Sequence, residues 1–163
     1  MDVLKKKKSG FTIIELVIII TIISIVATYA LMKFPSTPGI NVSAQAQQLA
    51  NDIRFTQTLA MTSGQDYYLK ITGSTYQILS ASGTPQTFAF GNITTRLNTG
   101  ITFGNYLATL PNGLIAFDAL GIPYTTNPTA ATFLTVLATI PLNGGGSTST
   151  VTITPETGRV SIQ

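Results

Sequence analysis

The sequence contains no cysteine, no histidine and no tryptophan. Without cysteine the chain has no disulfide framework and no thiolate chemistry. Without histidine it lacks the commonest metal ligand and the commonest general base. A domain of this kind must be held together by burial of apolar groups, and most metal-dependent and acid–base enzymes are disfavoured.

Charged residues are also scarce, at 9% of the chain. The formal charge of +3 comes from the first ten residues, because the remainder carries five bases and five acids, giving 5 − 5 = 0. The basic character therefore does not indicate a nucleic-acid surface on the folded domain. The bases outside the first ten residues are Lys33, Arg54, Lys70, Arg96 and Arg159, and the acids are Glu15, Asp52, Asp66, Asp118 and Glu156.

No motif for catalysis or cofactor binding is present. The sequence has no G-x-S-x-G element, and its run of glycines at 144–146 lacks the Lys-Ser/Thr that completes a phosphate-binding loop. Its acids are scattered, which argues against a carboxylate pair and against a calcium loop. We therefore expect no enzymatic activity, no cofactor and no bound metal.

A long apolar run extends from Phe11 to Phe34. As a helix it would be about 36 Å long, enough to cross a bilayer core. The four lysines at 5–8 should keep the preceding segment cytoplasmic and direct the rest of the chain outward. An ordinary secretory signal has a shorter apolar core followed by a small-residue cleavage site, and this sequence has no clean site of that type.

Glu15 is the acid inside this apolar run. It could lie at the membrane interface and extend its carboxylate toward water. Alternatively it is functional, as uncompensated charges at membrane depth usually are, and then it needs a positive partner. A free amino terminus made by cleavage between Gly10 and Phe11 would be such a partner, on the same chain or on a neighbouring subunit.

The stretch Ser9-Gly10-Phe11-Thr12-Ile13-Ile14-Glu15-Leu16 resembles the prepilin signal of type IV pilins and type II secretion pseudopilins. The resemblance implies that a prepilin peptidase cuts after Gly10 and methylates Phe11. It also implies that Glu15 registers subunits through a neighbour's amino terminus. Many such pilins have a proline within this helix, whereas the first proline here is Pro35, which predicts a kink after the apolar run.

A second helical pattern covers Ser43 to Ser63. Apolar residues recur there at helical spacing, so we expect this face to pack on a sheet and Asp52 and Arg54 to be solvated or at a subunit contact. The predicted organisation is a leader over 1–10, a membrane and filament-core helix over 11–34, a hinge over 35–42 and a soluble α+β domain over 43–163. The apolar stripe comprises Val42, Ala46, Leu49, Ala50, Ile53, Ala60 and Met61.

Short strand patterns separated by turn residues follow the second helix. A hairpin is predicted around Gly73-Ser74, and a second one around the turn at 155–158. Further strands are predicted over Thr87–Phe90, Ile93–Leu97, Ile101–Phe103, Leu114–Phe117 and Phe133–Leu142, and a flexible loop over Asn143–Ser147. The predicted fold class is α+β and type IV pilin-like, with a long N-terminal helix packed on antiparallel sheets.

Three short motifs in the soluble part resemble the GspH/FimT-type branch of the superfamily. They are Leu49-Ala50-Asn51-Asp52-Ile53-Arg54, Phe117-Asp118-Ala119-Leu120-Gly121 and Gly158-Arg159-Val160-Ser161-Ile162. The resemblance implies a minor pilin or minor pseudopilin of a bacterial type IV pilus or secretion pseudopilus. Its partners would be other pilin or pseudopilin subunits, the prepilin peptidase, an inner-membrane assembly platform and membrane lipid before assembly.

Two other functions remain as alternatives. Some FimT-type pilins bind DNA through C-terminal bases, but the C-terminal third of this chain offers only Arg159, and phosphate contacts dominate such affinity. We therefore do not expect nucleic acid as a partner. An enzyme held by an uncleaved anchor is the third hypothesis. The expected location is the inner membrane as a single-pass protein with a periplasmic C-terminal domain, and then the pilus or pseudopilus.

Overall fold

The computed structural model describes residues 11–33, 37–89, 91–126 and 132–163. The chain divides into two compact units, Met1–Pro35 and Ser36–Gln163. The predicted leader over 1–10, with Gly10, and the predicted kink at Pro35 lie outside the described residues.

Helix α1, Ile13–Lys33, forms the described part of the first unit. Thr12 caps its N-terminus, because the Thr12 hydroxyl accepts a hydrogen bond of 3.3 Å from the Glu15 amide and the Thr12 carbonyl accepts one of 3.2 Å from the Leu16 amide. Among the described residues, none of the helices combines the length and the apolarity that crossing a membrane requires. The membrane span predicted over 11–34 therefore stays a prediction.

Helix α2, Thr37–Ser63, begins six residues before the predicted Ser43 (43 − 37 = 6). The predicted hinge over 35–42 is thus wrong for 37–42, which are helical. The cause is Pro38: in the first turn of a helix a proline removes only an amide without an intrahelical partner, so it starts a helix there. The predicted end is confirmed, since Gly64 follows in the left-handed region with φ of 66°.

The first sheet contains six strands in the order β3-β2-β1-β6-β7, with β4 also pairing with β2. All its pairs are antiparallel. The predicted hairpin around Gly73-Ser74 is confirmed by the pairing of Thr72 with Thr75. The strands are β1 Tyr67–Thr72, β2 Thr75–Ser80, β3 Pro85–Gln86, β4 Thr94–Arg96, β6 Leu114–Phe117 and β7 Pro123–Tyr124.

The second sheet contains four antiparallel strands in the order β10-β9-β8-β5. The terminal hairpin predicted around residues 155–158 is confirmed, since Val160 pairs with Ile153. The strands are β5 Ile101–Phe103, β8 Ala138–Gly144, β9 Ser147–Ile153 and β10 Val160–Ile162.

The core of the second unit lies between α2 and both sheets. The apolar stripe predicted for α2 is buried there, except that Met61 is 54% exposed. Strands β1, β6, β8, β9 and β10 all contact the helix. The described residues of this core lie between Val42 and Ile162, so the second unit carries its own core and can fold by itself.

Three strand or loop predictions are corrected. Of the strand predicted over Thr87–Phe90, the described residues 87–89 do not form a strand, because Phe88 turns inward and packs edge-on against Tyr76, and Phe90 lies outside the described residues. The strand predicted from Phe133 begins only at Ala138, and Phe133 makes an isolated bridge to Tyr124. The glycine-rich loop is a tight hairpin, in which Gly144 pairs with Ser147, because Gly145 and Gly146 supply the positive φ values that the turn needs.

Candidate assembly surface

Helix α1 presents apolar side chains to solvent around its described circumference. Each of the large ones is more than two-fifths exposed in the isolated chain. An exposed apolar surface of this extent marks an interaction with lipid or with other proteins. These residues are Ile13, Ile14, Leu16, Val17, Ile18, Ile19, Ile20, Ile22, Ile23, Ile25 and Val26.

The hydroxyl groups on this helix do not interrupt its apolar surface. Thr21, Ser24 and Thr28 each donate a hydrogen bond of 2.7–2.8 Å to a backbone carbonyl three or four residues earlier. These hydroxyl groups stay hydrogen-bonded within the helix when it enters an apolar environment, which lowers the free-energy cost of burying them.

Glu15 stands in the first turn of α1, three residues after the capping Thr12. Its side chain is exposed, and the structure assigns its carboxylate no hydrogen bond or ion pair within the described residues. A carboxylate at a helix N-terminus is favoured by the helix dipole. It is therefore compatible with the helix and still available to a cation from outside the chain.

Phe11 lies just before the cap and is 76% exposed. Gly10, the predicted cleavage position, lies outside the described residues. Phe11 and Glu15 are four positions apart, and both are exposed. Cleavage after Gly10, methylation of Phe11 and registration by Glu15 stay predictions.

Asp52 is buried, which corrects its prediction as a residue that is solvated or at a subunit contact. It is 5% exposed, and one of its carboxylate oxygens accepts a hydrogen bond of 2.7 Å from the Tyr76 hydroxyl. Burial raises the pKa of the Asp52 carboxyl, and the hydrogen bond from Tyr76 opposes that rise. Burial, followed by the charge of Asp52, raises the pKa of Tyr76. No sequence pattern pairs Asp52 with Tyr76, so only the packing of α2 on β2 reveals this contact.

Arg54 and Gln57 on α2 donate hydrogen bonds to backbone carbonyls of β10 and of two turns. Arg54 was expected to be solvated or at a subunit contact. It is half-buried, and its guanidinium donates a hydrogen bond of 2.9 Å to the Val160 carbonyl within the same unit. The Gln57 side-chain amide donates a hydrogen bond of 2.8 Å to the Gly121 carbonyl and another of 3.1 Å to the Thr157 carbonyl. Gln57 thus joins the turn after β6 to the turn before β10, a role the sequence did not indicate.

The exposed bases of the second unit lie on separate elements. Lys70 is on β1, Arg96 on β4 and Arg159 just before β10. The structure therefore gives no support to the DNA-binding alternative. Within the described ranges, no group of three or more acidic side chains could hold a metal ion.

Comparison with known proteins adds two findings. Residues 5–31 match the family model described as the prokaryotic N-terminal methylation motif. This span contains Gly10, Phe11 and Glu15 and overlaps most of α1. No curated protein matches the chain in sequence.

Solved structures of pilin-type subunits match the fold. The minor pseudopilin EpsH from the type 2 secretion system of Vibrio cholerae aligns with a TM-score of 0.54 and 15% identity over 76% of this chain and 96% of that one. The type IV minor pilin FimU of Pseudomonas aeruginosa aligns with a TM-score of 0.53 and 15% identity over 75% of this chain and 87% of that one. The predicted α+β, pilin-like fold class is thereby confirmed. The chain thus carries the prokaryotic N-terminal methylation motif and has the fold of a solved minor pseudopilin and a solved minor pilin.

Proposed function

We propose that this protein is a structural subunit, of the minor pilin or minor pseudopilin type, of a type IV pilus or a type II secretion pseudopilus. The observation that carries the proposal is the exposed apolar surface of α1, most of which lies within the methylation motif at residues 5–31. The contacts described for the second unit are structural, and its fold is that of solved pilin-type subunits.

Processing is the first step of the proposed mechanism. A prepilin peptidase cleaves after Gly10, removes the four lysines with the rest of the leader, and methylates the new amino terminus at Phe11. The matched motif covers this junction, and Phe11 is exposed. Loss of the leader removes the basic segment that would otherwise oppose entry of the N-terminus into an apolar filament core.

Assembly through α1 is the second step. The helix holds the subunit in the bacterial inner membrane, with the second unit in the periplasm, until an assembly platform moves it into the filament. Lipid and a bundle of apolar helices are similar environments, so helix packing rather than loss of water drives that transfer. The self-bonded hydroxyls of Thr21, Ser24 and Thr28 fit both environments.

Glu15 sets the register in this mechanism. Its carboxylate has no partner among the described residues, and a charge taken into an apolar core must be paired there. The amino terminus of Phe11 on a neighbouring subunit supplies the positive charge. A subunit shifted along the core would leave both charges unpaired, so the pairing selects one register.

Mass spectrometry of the protein from its host tests the processing step. The expected mature N-terminus is methylated Phe11, and any other N-terminus contradicts the proposal. Substituting Glu15→Gln should preserve cleavage and methylation but strongly reduce recovery of the subunit in sheared filaments, because the amide cannot neutralise the neighbour's amine. Asp66→Asn, which removes an acid from the second unit, is the matched control and should assemble normally. Normal assembly of Glu15→Gln would contradict the registration role.

A further inference from the structure

Met61 is the one member of the predicted apolar stripe of α2 that the fold leaves open to solvent. Its side chain is 54% exposed, whereas the other six members of the stripe are buried. It nevertheless contacts the turn between β6 and β7: a Cβ placed on Gly121 would lie 2.9 Å from the Met61 Sδ and 3.2 Å from its Cγ. Met61 is therefore both accessible to small solutes and in contact with a specific turn.

The same turn is held to α2 by Gln57, one helical turn before Met61. The Gln57 amide nitrogen donates hydrogen bonds to the Gly121 carbonyl at 2.8 Å and to the Thr157 carbonyl at 3.1 Å. That nitrogen would lie 3.3 Å from a Cβ on Gly121, so the nitrogen and the Met61 sulfur border the same small space. An acceptor atom added to the sulfur would therefore lie near the donor that holds the turn.

Oxidation is the chemistry to which this arrangement exposes the second unit. Cysteine and methionine sulfurs are the side-chain atoms that climb the ladder of biological oxidation, and the chain has no cysteine and three methionines. Met1 and Met32 precede the second unit, so Met61 is the only sulfur that this unit contains. A peroxide gives one oxygen atom to such a sulfur: the O–O bond breaks, a sulfur lone pair forms the S–O bond, and water leaves when the oxidant is hydrogen peroxide. The product is a sulfoxide, which is polar where the thioether was apolar.

We propose that Met61 is an oxidation site that controls how firmly the turn between β6 and β7 is attached to α2, with a peroxide as the oxidant. The sulfoxide oxygen accepts a hydrogen bond from the Gln57 amide and draws that donor away from the Gly121 and Thr157 carbonyls. Methionine has three rotatable bonds, so the oxygen can reach the amide while the helix stays in place. The turn then loses a hydrogen bond that fixed it and opens more often. The proposal does not depend on the proposed function, because it concerns the second unit alone.

Treatment of residues 37–163 with hydrogen peroxide tests the site. Mass spectrometry of the folded protein should show the addition of one oxygen atom, and fragmentation should locate it at Met61. Met61→Leu keeps an apolar side chain of similar volume but has no sulfur, so it should gain no oxygen. If the folded protein gains no oxygen under conditions that oxidise the same chain in urea, the sulfur is shielded and the proposal is wrong.

Hydrogen exchange tests the consequence for the turn. The amides of Gly121 and Ile122 are hydrogen-bonded to Asp118 within the turn. They should exchange about two- to tenfold faster in the oxidised protein than in the untreated one, the range expected for losing one hydrogen bond. The hairpin between β8 and β9 should exchange at an unchanged rate. A methionine sulfoxide reductase should restore the original rates, because it returns the sulfoxide to the thioether. Equal exchange of the turn before and after oxidation would overturn the proposal.

Gln57→Ala separates the proposed route from general damage by the oxidant. Without the Gln57 donor the sulfoxide has no hydrogen bond to withdraw, so oxidation should leave the exchange of the turn in this variant unchanged. If oxidation accelerates exchange in Gln57→Ala as much as in the unchanged protein, the effect does not pass through Gln57 and the proposal fails. Thermal unfolding of each variant before treatment establishes that it is folded.

Discussion

The carboxylate of Asp52 on α2 accepts a hydrogen bond of 2.7 Å from the hydroxyl of Tyr76 on β2, and both side chains are buried. No ion pair to Asp52 occurs among the described residues. Burial raises the pKa of the Asp52 carboxyl, and the single hydrogen bond from Tyr76 only opposes that rise. The contact joins the helix to the first sheet.

We therefore expect the titration of Asp52 to make the free energy of unfolding fall as pH rises. In the unfolded chain the carboxyl releases its proton near its ordinary pKa of about 3.9, whereas the folded protein retains it to higher pH. The contribution of Asp52 is fully present below the unfolded pKa and is lost as pH rises through the folded pKa. Each unit of that rise corresponds to about 1.4 kcal/mol in the free energy of unfolding.

Urea unfolding of residues 37–163 between about pH 3 and pH 7 measures this contribution. Asp52→Asn keeps a hydrogen-bond acceptor for Tyr76 but cannot titrate. The free energy of unfolding of the unchanged protein should fall relative to that of Asp52→Asn as pH rises. If the difference in free energy of unfolding between the two proteins does not change with pH, or changes in favour of the unchanged protein as pH rises, the raised pKa of Asp52 is refuted.

Tyr76→Phe should destabilise the second unit by about 1–3 kcal/mol at neutral pH, because it leaves the buried Asp52 carboxylate without its donor. Tyr67→Phe is the matched control. Tyr67 is also buried, and its hydroxyl has no hydrogen bond within the described residues, so we expect a change within about 0.5 kcal/mol. Thermal or urea unfolding measures the free energy of unfolding of both variants. Equal decreases in the two would show that the hydrogen bond of the Tyr76 hydroxyl does not contribute to stability.

Gln57→Ala should cost about 1–3 kcal/mol, since it removes the donor to the Gly121 and Thr157 carbonyls. Hydrogen exchange should increase in the turn before β10 more than in the hairpin between β8 and β9. Gln47→Ala, at an exposed position of the same helix, is the control and should change the free energy of unfolding little. Unchanged exchange in both turns of Gln57→Ala would mean that Gln57 does not hold them.

Gly158→Ala should be more destabilising than Gly146→Ala. Both glycines have positive φ, of 63° and 79°, so both variants incur the cost of that conformation. A Cβ at Gly158 would lie 2.6 Å from the Gln57 amide nitrogen and 2.8 Å from the Phe117 ring, whereas a Cβ at Gly146 meets nothing within 4 Å. The difference in free energy of unfolding should be about 1–3 kcal/mol, and similar values for the two variants would contradict the close packing.

The sequence predicted the elements whose signals are local. The apolar stripe of α2, the Gly73-Ser74 hairpin and strands β5 and β6 were each visible in residue pattern and turn chemistry. The sequence pattern placed the start of α2 too late, because a proline usually interrupts a helix. A proline in the first helical turn, as Pro38 is, is compatible with a helix. It extended a strand back to Phe133 because an apolar run does not reveal that the ring stacks on Tyr124 instead.

The sequence by itself determined where the proposed assembly segment lies: the glycine and phenylalanine of the predicted cleavage junction, Glu15 four residues after the phenylalanine and the apolar run are contiguous, so their chemistry can be read along the chain. The tertiary structure alone decided the contacts of Asp52 and Gln57. Their partners lie 24 to 100 residues away in sequence. Burial and hydrogen bonding depend on which elements pack together, and residue spacing does not encode that.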